Sequence, residues 1–203
     1  LVFLNKKRKI LENSGLTRKL YNKDNSINEF FNFHNPRELK KLKFVKKHIS
    51  FKNKDVLESN CGAGIIINSL KKTSKITAGL DSLIYKKFLN KNKHLYFRDV
   101  EEIIKSKKKF DIILSLSEIE HKYNPILFLK NLKKIIKKNG FIVLRIPNFY
   151  NIYMLLLNKY FFKYDYRTSH NYYFSEKNLD IIFKKLNFKI YLKAGYNEYS
   201  YNH

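Results

Sequence analysis

A carboxylate running into a glycine turn is the first place in this chain where residue types and spacing point to chemistry. The run Val56-Leu-Glu-Ser-Asn-Cys-Gly-Ala-Gly64 reads as a strand closed by Glu58 that enters a tight turn at Gly62 and Gly64. Glycine adopts positive φ and has no Cβ, so such a turn lets a nucleotide lie against bare backbone. A dinucleotide fingerprint needs a third small residue, and Ile67 stands there instead. A phosphate-binding loop needs Gly-Lys-Ser/Thr, which is absent too. Three more polar groups fall just past β-type runs: Asp81 after Ile76–Leu80, Asp99 after His94–Phe97, and Ser117 after Phe110–Leu116. An acid at the end of a second strand can accept both hydroxyls of a ribose.

These groups share a site only if the strands are parallel, and the intervening patterns supply that. Asn35 reads as a helix cap with Pro36 in first position, followed by an apolar stripe at Leu39, Leu42, Val45 and Ile49. Asn124 and Pro125 repeat this logic ahead of Leu129, Leu132, Ile135 and Ile136, with Asn139-Gly140 as the expected stop before a fifth strand over 139–148. Ser175 is a cap, with Phe174 and Leu179 placed as a hydrophobic staple, and Asn187–Leu192 reads as a further strand. Strands alternating with helices predict a right-handed parallel α/β sheet, which binds ligands beyond the carboxyl ends of its strands.

Matched position by position, Glu58, Asn60, Gly62 and Gly64 resemble the first motif of the class I S-adenosylmethionine (SAM)-dependent methyltransferases, an acidic residue followed by G-x-G-x-G. Asn60 departs from the glycine usual there, but Asn tolerates the left-handed region better than most residues. The ordered series Asp111-Ile-Ile, Glu120-His121, amphipathic helix, Asn139-Gly140, strand and Ile146-Pro-Asn148 is similar to the same family over residues 55–148. The resemblance implies a Rossmann-like, doubly wound, mostly parallel sheet of about six or seven strands with helices on both faces. It also implies SAM as cofactor, bound by Glu58, Asn60, Gly62, Gly64, Asp81, Asp99 and Ser117, with Asp99 near the adenine amino group.

The implied reaction moves a methyl group from SAM to a small hydroxylated acceptor, such as a sugar or sugar nucleotide. His121 and His170 are then the candidate bases, since a neutral imidazole accepts protons near pH 7. The plainer reading makes His121 a helix-entry hydrogen-bonding residue and His170 a cap or packing residue. Glu118 and Glu120 are suited to positioning substrate or a cation, but no cluster has the spacing of a structural metal site, and no metal is assigned. Residues 1–34 read as an N-terminal arm or cap and 35–203 as the SAM-binding domain. Within it the Tyr- and Phe-dense stretch 148–174 is an acceptor cap. The ending Tyr199-Ser-Tyr-Asn-His203 resembles the start of a motif in polysaccharide-linked members and suggests a truncated chain.

Bulk composition constrains partners. The formal charge is +25, from 36 Lys and 6 Arg against 17 acidic residues. Lysines scattered over every predicted helix, including Lys40, Lys41 and Lys43, read as solvated faces more than as a nucleic-acid groove, which would favour Arg. RNA methylation and a non-catalytic SAM-fold role are the alternatives. No apolar run is long enough for a membrane span, no targeting segment is evident, and the lone Cys61 agrees with a reducing compartment, so the cytoplasm is expected. Oligomeric state is left open.

Overall fold

The computed structural model describes residues 27–148 and 170–196, with side chains from His34 onward. Residues 1–26 of the expected 1–34 arm, most of the 148–174 cap and the Tyr199–His203 ending lie outside the described residues, and residues 27–34 of that arm are helical. Five parallel strands form one sheet: β1 (Asp55–Ser59), β2 (Ile76–Leu80), β3 (Leu95–Phe97), β4 (Phe110–Leu116) and β5 (Ile136–Arg145), in the order β3-β2-β1-β4-β5. The strand order reverses between β1 and β4, which is where ligands bind in doubly wound sheets. This is the expected Rossmann-like α/β architecture, with fewer strands among the described residues than the sequence suggested. The missing strand is Asn187–Leu192, which forms no strand with any of the described residues. Its apolar side chains find only partial cover: Tyr191 is 70% exposed.

Helices cover both faces because side chains alternate along each strand. Val56, Ile112 and Leu114 meet Leu42 of α1 (Ile27–Lys46) and Ile66 and Leu70 of α2 (Ile65–Leu70). Leu57, Ala78, Phe110 and Ile113 point the other way, onto Ile103 of α4 (Val100–Lys105) and Leu132 and Ile135 of α5 (Pro125–Ile135). The short α3 (Lys86–Lys91) places Leu89 against Cys61, Ala63 and Ile67, so the cysteine packs as a small apolar residue. The last helix, α6 (Glu176–Lys185), adds Leu179, Ile182 and Phe183 to a cluster around Ile119, Leu129 and Phe174.

Three local expectations fail for identifiable reasons. First, α1 begins at Ile27 and carries Pro36 inside it rather than at its start. Proline already has helical φ, so the helix continues at the expense of one backbone hydrogen bond. Second, α5 ends at Ile135 and β5 starts at once at Ile136, so Asn139-Gly140 lies inside the strand. Four residues, 137–140, face Asp111 in a bulge between the Phe110/Ile136 and Ile112/Phe141 pairs. A Cβ at Gly140 would stand 2.8 Å from the Asp111 carbonyl oxygen, so glycine serves close backbone approach and not a helix stop. Third, Lys41 is no solvated residue: it is 6% exposed and paired with Glu38 at 2.8 Å.

Candidate functional site

The turn after β1 is built from alternating left-handed residues. Asn60 (φ 62°), Gly62 (φ 54°) and Gly64 (φ 77°) all have positive φ, so Asn60 occupies the strained geometry its position in the motif implied. The loop is tied across the end of β2. The Asn60 N–H donates to the Leu80 carbonyl at 2.8 Å, and the Gly62 N–H donates to Asp81 Oδ2 at 2.7 Å. Gly64 opens α2, where a Cβ would come within 2.8 Å of Leu89 Cδ2. Gly79 in the middle of β2, overlooked from the sequence, lets this crossing happen: a Cβ there would meet Cys61 Sγ at 2.6 Å. The readable signal was a glycine inside a β-type run, which marks close approach of another backbone.

The acidic groups line the carboxyl edge of the sheet as expected, each with a distinct environment. Glu58 is buried at the end of β1, and its Oε2 has no hydrogen-bond partner. Burial pushes its carboxyl well above the ordinary range, aided by the negative charges of Glu38 and Asp81 and opposed by the Ile67 N–H and by Lys41. Asp81 accepts from the Gly62 N–H with one oxygen and from the Ser82 N–H at 2.6 Å with the other. Asp99 caps α4 by accepting from the Glu102 N–H at 3.0 Å and pairs with Arg98 at 3.0 Å, a capping job the sequence reading did not name.

A second group gathers past β4. Ser117 also has positive φ (64°), and its Oγ accepts from Arg145 Nη1 at 2.6 Å while its N–H donates to the Arg145 carbonyl at 2.8 Å. These bonds clip the end of β4 to the end of β5. Glu118 is 3% exposed and fully engaged by Ser59, Ser115 and Lys122 at 3.0, 2.8 and 2.8 Å. A turn over Ile119–His121 follows. Its Glu120 carbonyl accepts from the N–H groups of Asn171 (2.8 Å) and Tyr172 (3.1 Å), and the His121 carbonyl accepts from Asn171 Nδ2 (2.7 Å). These bonds bring the two histidines together although they are distant in sequence. Their rings meet edge to face, with centroids 4.8 Å apart.

Beside them stands Glu120, 1% exposed, with neither carboxylate oxygen hydrogen-bonded to another residue. Burial raises its carboxyl to about 7, opposed by its own backbone N–H and then by the Arg145 charge. The sequence offered Glu120 as a possible substrate or cation group, but only the fold shows that it stands beside both histidines. Asn148 and Phe174 form a parallel bridge, so the residues at the two ends of the stretch expected to be an acceptor cap meet.

The cofactor that the resemblance implied fits these residues on two observations. A buried carboxylate oxygen on Glu58 has no hydrogen-bond partner, and the left-handed residues Asn60, Gly62 and Gly64 turn the backbone directly after it.

Comparison with known proteins agrees with this geometry. A ubiquinone biosynthesis O-methyltransferase from Coxiella burnetii is 32% identical over 108 residues, covering 49% of this chain and 46% of the relative. One from Pelagibacter ubique is 32% identical over 143 residues, covering 67% and 55%. A tRNA U34 carboxymethyltransferase from Nautilia profundicola is 31% identical over 127 residues, covering 58% and 42%. The chain thus spans about half the length of the curated relatives it matches. Among solved structures, a SAM-dependent methyltransferase from Archaeoglobus fulgidus superposes with a TM-score of 0.59 at 25% identity, covering 79% of this chain and 74% of that one. A family profile described as a methyltransferase domain matches residues 33–193, and the chain belongs to the class I SAM-dependent methyltransferase family.

Proposed function

We propose that this protein transfers a methyl group from SAM to a hydroxyl of a small acceptor molecule. The observation that carries this reading is the left-handed loop at Asn60–Gly64, pinned on Asp81 and following Glu58, whose Oε2 has no hydrogen-bond partner, at the switch point of the sheet. SAM supplies a methyl group on a positively charged sulfur. In this reading Glu58 and the loop from Asn60 to Gly64 hold its amino-acid end, Asp81 accepts from the ribose hydroxyls, and Asp99 and Ser117 frame the adenine end. The chain's main contribution to rate is placement, since holding acceptor oxygen and methyl group in line can contribute about 7–11 kcal/mol.

His121 and His170 form the acceptor-activating pair, set past β4 with their rings in contact. The O-methyltransferases among the relatives support an oxygen acceptor, and their link to ubiquinone biosynthesis supports a ring hydroxyl alongside the sugar hydroxyl implied by the resemblance of the chain's ending. A second reading, methylation of RNA, is favoured by the charge of +25 and by the tRNA-modifying relative. Tritiated SAM offered with quinol-like phenols, sugar nucleotides and RNA separates the two. Label in a phenol or sugar supports the first reading, and label in RNA alone replaces it with the second.

A further inference from the structure

Glu120 is hard to account for as a structural residue. A buried carboxylate is normally satisfied by several donors, as Glu118 is by two hydroxyls and an ammonium, because an unpaired one is strongly disfavoured. Glu120 has no such donor on either oxygen. What it has instead is His121 and His170, with one ligand-type atom from each of the three residues lying within 4.8 Å of the others.

We propose that Glu120, His121 and His170 bind a divalent transition-metal cation of the zinc, cobalt or manganese class, which holds the acceptor hydroxyl. Two imidazoles and one carboxylate are a donor set these cations accept, and three protein ligands leave positions open for substrate. Ligand atoms about 2.0–2.2 Å from a shared ion stand at most about 4.4 Å apart. The present spacing of up to 4.8 Å therefore closes with small side-chain rotations. The backbone is already fixed for this, since the Glu120 and His121 carbonyls hold Asn171 and Tyr172 against the turn. Glu118 is excluded from the set by its own hydroxyl and lysine partners.

The proposal rests on the methyl-transfer reading only for its chemical role. An acceptor hydroxyl at an open position becomes more acidic and releases its proton to solvent. Its oxygen then forms the new C–O bond as the methyl–sulfur bond breaks, and that electron pair stays on sulfur. Both imidazoles act as neutral ligands in this arrangement, so the proton does not pass to them.

The test titrates Zn²⁺ and Co²⁺ into the full chain, free of purification tags and stripped with EDTA, with SAM binding measured on the same sample. The expected result is one-to-one binding, a Co²⁺ absorption spectrum of nitrogen and oxygen ligation, and affinity at least tenfold weaker in Glu120→Gln and in His121→Gln. Thermal melting checks the fold of each variant, and the partly exposed His121 provides a substitution that does not disturb the core. Equal affinity in wild type and both variants, or no stoichiometric binding by wild type, overturns the proposal. Cation binding that survives while SAM binding is absent keeps this site and removes the methyltransferase reading. SAM binding and EDTA-insensitive methyl transfer without cation binding do the reverse.

Discussion

Asn60 separates backbone geometry from side-chain chemistry. Its φ of 62° lies where a β-branched residue suffers most and glycine least. Asn60→Val should lower unfolding free energy by about 1–2 kcal/mol in urea titration, and Asn60→Gly should leave it unchanged or slightly raised. Equal losses in both would mean that the side chain, not the left-handed backbone, is what matters there. Glu58 makes a prediction of opposite character. Its folded-state carboxyl is raised, so the folded chain holds that proton to higher pH than the unfolded chain does. Stability from this group is full below the ordinary carboxyl range and falls as pH rises above it. Glu58→Gln should therefore flatten the decline of cofactor-free stability above about pH 4.5. A wild-type slope retained in the variant would show that Glu58 is not the group responsible.

Between elements, His94 ties three pieces of the sheet together. Its ring bonds Thr77 of β2 through Nδ1 at 2.7 Å and Asn68 of α2 through Nε2 at 2.8 Å, just before β3. Burial, with the nearby Lys71 charge, lowers its pKa to about 4. Between that value and the ordinary 6.5 the unfolded chain binds more protons, so stability should fall as pH drops through this window. His94→Gln, measured by thermal melting from pH 7 to pH 4, should remove much of that fall, and an unchanged profile would count against it. The caps show what was legible from sequence at this scale. Asn124, which accepts from the Leu127 N–H, and Ser175, which accepts from the Asn178 N–H, act over three residues, and local composition specifies them. Ser175→Ala should cost about 1 kcal/mol. The start of α1, the junction at Ile136 and the lack of a strand over 187–192 among the described residues were not legible, because each depends on what packs against it. The acids at the strand ends were readable because strand periodicity places them. The meeting of Glu120 with His170 was not, since backbone bonds from Asn171 and Tyr172 create it.

Across the whole molecule, the parallel sheet sorts function to one edge and electrostatic clamping to the other. At the opposite end Lys137 bridges Asp55 and Asp111 at 2.7 and 2.8 Å, holding the starts of β1 and β4 to the bulge in β5. No helix among the described residues is long and apolar enough to cross a membrane. The excess of 42 basic over 17 acidic residues should attract polyanions without specifying them. RNA association should accordingly weaken steeply between 50 and 200 mM salt, while methyl transfer to a neutral small acceptor should change little. Transfer that tracks the loss of RNA binding would assign the charge a catalytic purpose. The claim beneath all of these is that the loop over Glu58 and the acid after β2 form a cofactor site. Calorimetric titration of SAM into wild type and Asp81→Ala tests it most directly. The account predicts saturable one-to-one binding by wild type and at least tenfold weaker binding by the variant, since a charge-assisted hydrogen bond is worth about 1.5–3 kcal/mol. Equal affinity in the two proteins, or no binding by a folded wild type, would contradict it.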